Sequence, residues 1–214
     1  MLEKTRIVHQ MEGERNFHIF YQILRGASTE LKTKMELSDS VSDYHYISDG
    51  ESRIPSISDE DEFKITCSCM ESIGIDKNRR QEIFTAISGI LQLGNISFES
   101  DQNDYEVGKI SKEREDAFQA AARLLGLLPE ELLTAMTKQN MHVGGAVIVK
   151  PQSHAQVRGP WVMCHGSWVR TLDHGSWVMG LLNCVVLQIL TFFLFCYVFS
   201  FLSFLFSHVL FCHI

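Results

Sequence analysis

Gly13-Glu14-Arg15-Asn16-Phe17-His18-Ile19-Phe20-Tyr21-Gln22-Ile23-Leu24 is the stretch on which the reading of this 214-residue chain turns. Phe17, Phe20, Tyr21 and Leu24 recur at i, i+3, i+4 and i+7, the spacing of one helical stripe. Ile19 and Ile23 widen that stripe until few positions are left for solvent. A helix apolar over most of its circumference is buried inside something large. Gly26 suits the position just past its end, where a left-handed residue is favoured.

Working outward, Leu2-Glu3-Lys4-Thr5-Arg6-Ile7-Val8 precedes this string. The two together closely resemble the myosin motor head, in the segment shortly after its switch I loop. The resemblance implies a mainly α (α+β) fold, an internal helical segment of a P-loop motor head. For a complete family member it implies ATP-driven movement on actin, with ATP and magnesium as cofactors and a cytoplasmic, cytoskeletal setting. The family's phosphate-binding loop and switch I come before the LEKTRIV-like run. The sequence contains no G-x-x-x-x-G-K-[ST] string, and the acidic nucleotide-coordinating loop that follows in the family is also missing. The expectation is therefore no catalytic residue, no cofactor-binding residue and no metal ligand in this chain. The resemblance also implies that elements covering the first helix are absent. Several uncovered aromatic side chains would forfeit several kcal/mol at roughly 25 cal/mol per Å², so residues 1–157 alone are expected not to fold cooperatively.

Composition divides the chain. Of its 26 acidic residues 25 precede Arg158, as do 17 of its 19 lysines and arginines, so the first part carries a net charge of −8. No charged side chain follows Asp173. An acidic balance without clustered Lys and Arg argues against nucleic acid as a partner. Six scattered cysteines with no framework spacing, and no N-terminal signal peptide, read as a reduced, cytosolic setting for the first part.

Residues 27–58 are polar and rich in Ser and Asp, and read as loop with one short helix. Tyr44-His45-Tyr46 within them looks like the YHYL run of myosin heads and reads as a hydrophobic anchor. Ser58 with Asp61 three residues on fits a capping box, and Asp59 to Glu62 put negative charge at the positive end of a helix. Phe63, Cys67, Met70 and Ile73 mark that helix's apolar face, with Gly74 ending it. Ile83, Phe84, Ile87, Ile90 and Leu91 mark the next, with Gly94 expected as its C′ residue. The run from Glu62 to Phe98 again resembles the myosin head, most specifically in Ile87-Ser88-Gly89-Ile90-Leu91-Gln92-Leu93-Gly94-Asn95-Ile96-Ser97-Phe98. Cys67-x-Cys69 on a helix places its side chains about 200° apart, unsuited to a disulfide or a tetrahedral metal site, so these read as packed thiols.

Residues 100–108 form an acidic loop, and Ser111 is expected to cap a third helix with the face Phe118, Ala121, Ala122, Leu125, closed by Gly126. Pro129 suits the first position of a fourth helix over residues 130–136. Met141 to Val149 then reads as a hairpin around Gly144-Gly145. In the myosin head a loop of this position and pattern lies on the actin-binding surface. The resemblance carries that role to Lys138, His142, Val143, Gly144, Gly145, Ala146 and Val147. The competing reading is a hairpin that only covers core.

The resemblance fades after residue 157. Residues 158–180 form a Gly/Trp-rich linker holding three G-[SP]-W-V units at unequal spacing. Cys164, His165, His174 and Cys184 fit no zinc-finger spacing. Leu181 to Phe206 is an uncharged run of 26 residues, longer than the roughly 20 apolar residues that cross a bilayer. It reads either as a transmembrane-like C-terminal helix or as translated pyrimidine-rich, non-coding sequence. The abrupt end of the family pattern favours the second. From a different class, the alternative function is a tail-anchored membrane protein using the helical piece as an interaction module.

Overall fold

Helix α1 (His18–Gly26) buries Ile19, Phe20, Tyr21, Gln22, Ile23 and Leu24, and the rest of the first core is assembled around it. The computed structural model describes residues 4–8, 10–11, 13–48, 54, 57–100, 108–143 and 146–151. The linker, the run from residue 181 to 206, the four candidate zinc ligands beyond residue 157, Gly144 and Gly145 lie outside the described residues. So does most of the acidic 100–108 loop. The described residues are mainly helical with two small antiparallel hairpins.

The expected absence of cover for α1 is corrected by the packing. Helices α4 (Asp59–Ser72) and α5 (Lys77–Gly94) lie against α1. Phe63 and Met70 from α4, with Phe84, Ile87 and Leu91 from α5, join it in one buried cluster. Tyr44, Tyr46 and Ile47 close the same cluster from helix α3 (His45–Ser48) and the turn before it, so the YHY stretch is an anchor. Each fully buried aromatic or large aliphatic side chain contributes roughly 1.5–3 kcal/mol. The cover is therefore supplied by this chain's own next two long helices.

Asn16 and Gln22, two buried polar side chains of the first core, are paired. The Asn16 side-chain amide donates to the carbonyls of Ile7 at 2.9 Å and Tyr46 at 2.7 Å, and its oxygen accepts from the Phe17 N–H at 2.7 Å. One buried residue thus ties the N-terminal turn, α1 and α3 together. Thr66 on α4 donates its hydroxyl to the Gln22 side chain at 3.0 Å, joining α4 to α1.

Residues 27–48 are more regular than expected. Ser28 caps helix α2 (Thr29–Lys34), a 3-10 turn covers Val41–Asp43, and α3 follows. Short polar runs of Ser and Asp hide these turns because such residues favour caps and loops alike. Ser58 caps α4 as its sequence suggests, its hydroxyl accepting from the Asp61 N–H at 3.3 Å.

Two glycines depart from the expected C′ role. Gly26 and Gly94 are the last residues of their helices, and their use is close approach. A Cβ on Gly26 would sit 2.4 Å from the Cβ of Phe63, and one on Gly94 would sit 2.7 Å from the Tyr46 ring. Gly74 and Gly126 do take left-handed φ, +88° and +68°, as their terminating positions require.

A second, smaller core gathers Leu93, Phe118, Ala121, Ala122 and Leu132. It joins α5 to α6 (Glu115–Leu125) and α7 (Pro129–Thr137). Gly89 lets α6 come close: an added Cβ there would lie 2.7 Å from Leu125 Cγ. Strands β1 (Phe98–Ser100) and β2 (Gly108–Ile110) pair antiparallel beside it, with Phe98 opposite Ile110. Ser111 does not cap α6. It precedes a 3-10 turn over Lys112–Arg114, and its hydroxyl donates to Glu99 at 2.6 Å across the hairpin base. Among the described residues no helix is long and apolar enough to cross a membrane.

Candidate functional site

Helix α7 leads without a break into β3 (Lys138–Val143), which pairs antiparallel with β4 (Ala146–Pro151). Whatever seats α7 therefore also aims the hairpin. Leu132 is buried in the second core, and the Thr137 hydroxyl closes the helix by donating to the Leu133 carbonyl at 2.7 Å. The register runs from Lys138 opposite Pro151, through His142 opposite Val147, to Val143 opposite Ala146. The strands are longer at both ends than the 141–149 stretch expected from sequence.

Of the candidate residues, Lys138 is exposed at the hairpin base, and Lys150 is exposed beside it. His142, Val143, Ala146 and Val147 are placed by their backbone in the paired strands. Ile148 and Val149, which the sequence reading did not single out, are 52% and 54% exposed. Alternation along an apolar Val-Ile-Val run gave no signal of which side would be left uncovered. Lysine donors beside exposed aliphatic side chains suit an acidic, partly apolar protein surface.

A buried charged cluster lies across the molecule, and the sequence reading missed it. Asp59, the first residue of α4, is 4% exposed and accepts from Arg15 Nη2 at 2.9 and 2.7 Å and also from Arg25 Nη1. The sequence reading gave Asp59 only as one of four acids at the positive end of a helix; it is also a clamp joining both ends of α1 to α4. The Arg15 guanidinium also lies over the Tyr21 ring, 3.9 Å from its centroid. Burial pushes the Tyr21 hydroxyl upward from its ordinary value. Burial, then the Arg15 charge, lowers His18, with Asp59 opposing. The signal available was Arg15 itself, a lone cation directly before a nearly all-apolar helix.

Cys67 and Cys69 are half-buried free thiols. Burial raises the Cys67 thiol, with Arg80 opposing, so it stays protonated and packed against the first core. Among the described residues no group of His, Cys, Asp and Glu could hold a metal ion.

Residues 1–161 match the myosin head (motor domain) family. The chain is similar to Myosin type-2 heavy chain 1 of Schizosaccharomyces pombe, 34% identical over 157 residues, which is 73% of this chain and 10% of that protein. It is similar to Unconventional myosin IC of Drosophila melanogaster, 38% identical over 152 residues, 71% of this chain and 14% of that protein. Against Unconventional myosin ID of the same organism the identity is 30% over 188 residues, 87% of this chain and 18% of that protein. The chain spans only 10% to 18% of the length of these relatives.

Proposed function

The chain belongs to the myosin head (motor domain) family, and from that premise we propose that residues 1–157 are an internal, mainly helical segment of an actin-based, ATP-driven cytoskeletal motor. The segment's part is to present the β3–β4 hairpin to the actin filament. Lys138, His142, Val143, Gly144, Gly145, Ala146 and Val147 form the contacting stretch. The observation that carries this is the hairpin's outward aim: it is rooted through Leu132, while Lys138, Ile148 and Val149 stay exposed. ATP and magnesium belong to the complete motor. These 214 residues contain no phosphate loop string, and phosphoryl transfer needs a phosphate cradle, metal ligands and an oriented nucleophile. The chain alone therefore has no motor activity.

Cosedimentation with filamentous actin tests the hairpin, using the full chain in neutral detergent at low salt. The expected outcome is weak, salt-sensitive pelleting with actin, reduced several-fold by Lys138→Glu. Pelleting that Lys138→Glu and added salt leave unchanged would remove the hairpin from the interface. Calorimetry with magnesium-ATP should give no saturable heat; saturable binding would overturn the view that the nucleotide site lies elsewhere.

A second reading rests on residues 181–206, whose 26 positions hold no charged side chain. In it the helical segment is an interaction module carried on a membrane-anchored chain, and actin pelleting would be absent.

A further inference from the structure

Two solvent-open clefts meet at Arg114, and the one on the α3 side has the make-up of an oxyanion site. It encloses about 360 Å³, and its lining includes Ser42, Asp43, His45, Asn95, Ser97 and Arg114. Up to residue 157 acids outnumber lysines and arginines by 25 to 17. Even so, Arg114 forms no ion pair among the described residues. Glu113 and Asp116 share with it the lining of the neighbouring cleft and leave its guanidinium uncommitted.

Asp43 is the one carboxylate in the lining, and one of its two oxygens, Oδ2, accepts from the Ser38 hydroxyl. The walls are fixed by Asn95: its amide donates to the Asp43 carbonyl at 2.8 Å and its oxygen accepts from the His45 N–H at 2.9 Å. That pins the chain around α3 to the residue after α5 and fixes the wall that carries His45, with Arg114 and the same Asn95 both lining the cleft. Ser42 and Ser40 bond through their hydroxyls at 2.7 Å, either one able to donate, so with Ser40 as the donor the Ser42 proton can turn to a ligand. Donors arriving from separate elements suit a tetrahedral anion, and a planar guanidinium fork is the group that grips one best.

We infer that this cleft binds a phosphate-type oxyanion, either inorganic phosphate or a phosphate monoester, with Arg114 as its principal ligand and His45 and Ser42 as supporting donors. The test titrates the full isotope-labelled chain, in neutral detergent, with inorganic phosphate and separately with O-phosphoserine. Sodium chloride at matched ionic strength is the control for screening. Saturable amide shifts confined to Ser42, His45, Asn95, Ser97 and Arg114 are expected. Arg114→Ala should weaken binding about tenfold, and Arg114→Lys, which keeps the charge and loses the fork, should fall between. A response to phosphate alone assigns the free anion, and a response to both assigns a site open enough for an ester. Shifts that chloride reproduces, that fail to saturate, or that survive both Arg114 variants overturn the inference. Arg114 is exposed, so both variants should keep their helical circular dichroism.

Discussion

Removing the carboxylate of Asp59 leaves two guanidinium groups, one of them buried, with nothing between them. Breaking such a pair from one side costs about 3–5 kcal/mol, far more than an exposed acid at a helix start. Asp59→Ala should therefore lower stability by that amount in circular dichroism melts, whereas Glu60→Ala, at an exposed position of the same turn, should change it by about 0.5 kcal/mol or less. Equal effects would dismiss the clamp. His18 gives a pH prediction. Its folded value is held below the ordinary 6.5, so the neutral ring is the form the fold accepts. Stability is intact above 6.5 and is lost as pH falls from there through the lowered folded value. Denaturant midpoints for the parent chain should hold above about pH 6.5 and drop as pH falls below it, and His18→Gln should flatten part of that drop. At this scale little beyond the apolar stripe was legible. Periodicity marked Phe20, Tyr21 and Leu24 for burial, but pairing between Arg15 and Asp59, far apart in the chain, leaves no local pattern.

The helices were legible where their ends and faces carry strong chemistry. Ser58 and Pro129 begin α4 and α7, and Gly126 closes α6, because each residue satisfies a backbone demand that sequence exposes directly. The glycines at 26, 89 and 94 were not legible in their actual use, since contact with Phe63, Leu125 or Tyr46 depends on tertiary approach. Gly89→Ala should show the difference. Helix propensity alone would make it favourable by about 1 kcal/mol. The collision with Leu125 instead predicts a net loss of about 1–2 kcal/mol, recovered in part when Leu125→Ala accompanies it. A stabilised single variant would mean α5 and α6 are farther apart than described. Of the candidate hairpin, its existence was readable. Its full length to Lys138 and Pro151 was not, because the Lys-Gln-Asn start lacks strand signals.

For the molecule as a whole, the two cores cover the apolar faces of the described helices, and from that cover cooperative unfolding of residues 1–157 is the outcome to expect. A single sharp urea transition without dye-binding intermediates is expected for that segment, and a broad one would show that the cover is inadequate. The full chain should behave differently. Its 26-residue uncharged run predicts membrane association or aggregation, and deletion of residues 178–214 should return the remainder to the soluble fraction. Full-length chain in a high-speed supernatant without detergent would contradict this. Helix α5 gives the helical part a mechanical property. Its 18 residues span about 27 Å. Phe84, Ile87, Ile90 and Leu91 sit in one core, and Leu93 sits in the other. Close-packed interiors yield little under compression, so a force arriving at the hairpin and passed through α7 and α6 loads α5 as a strut. Through the shared first core, that load would reach α1, which the Asp59 clamp ties to α4.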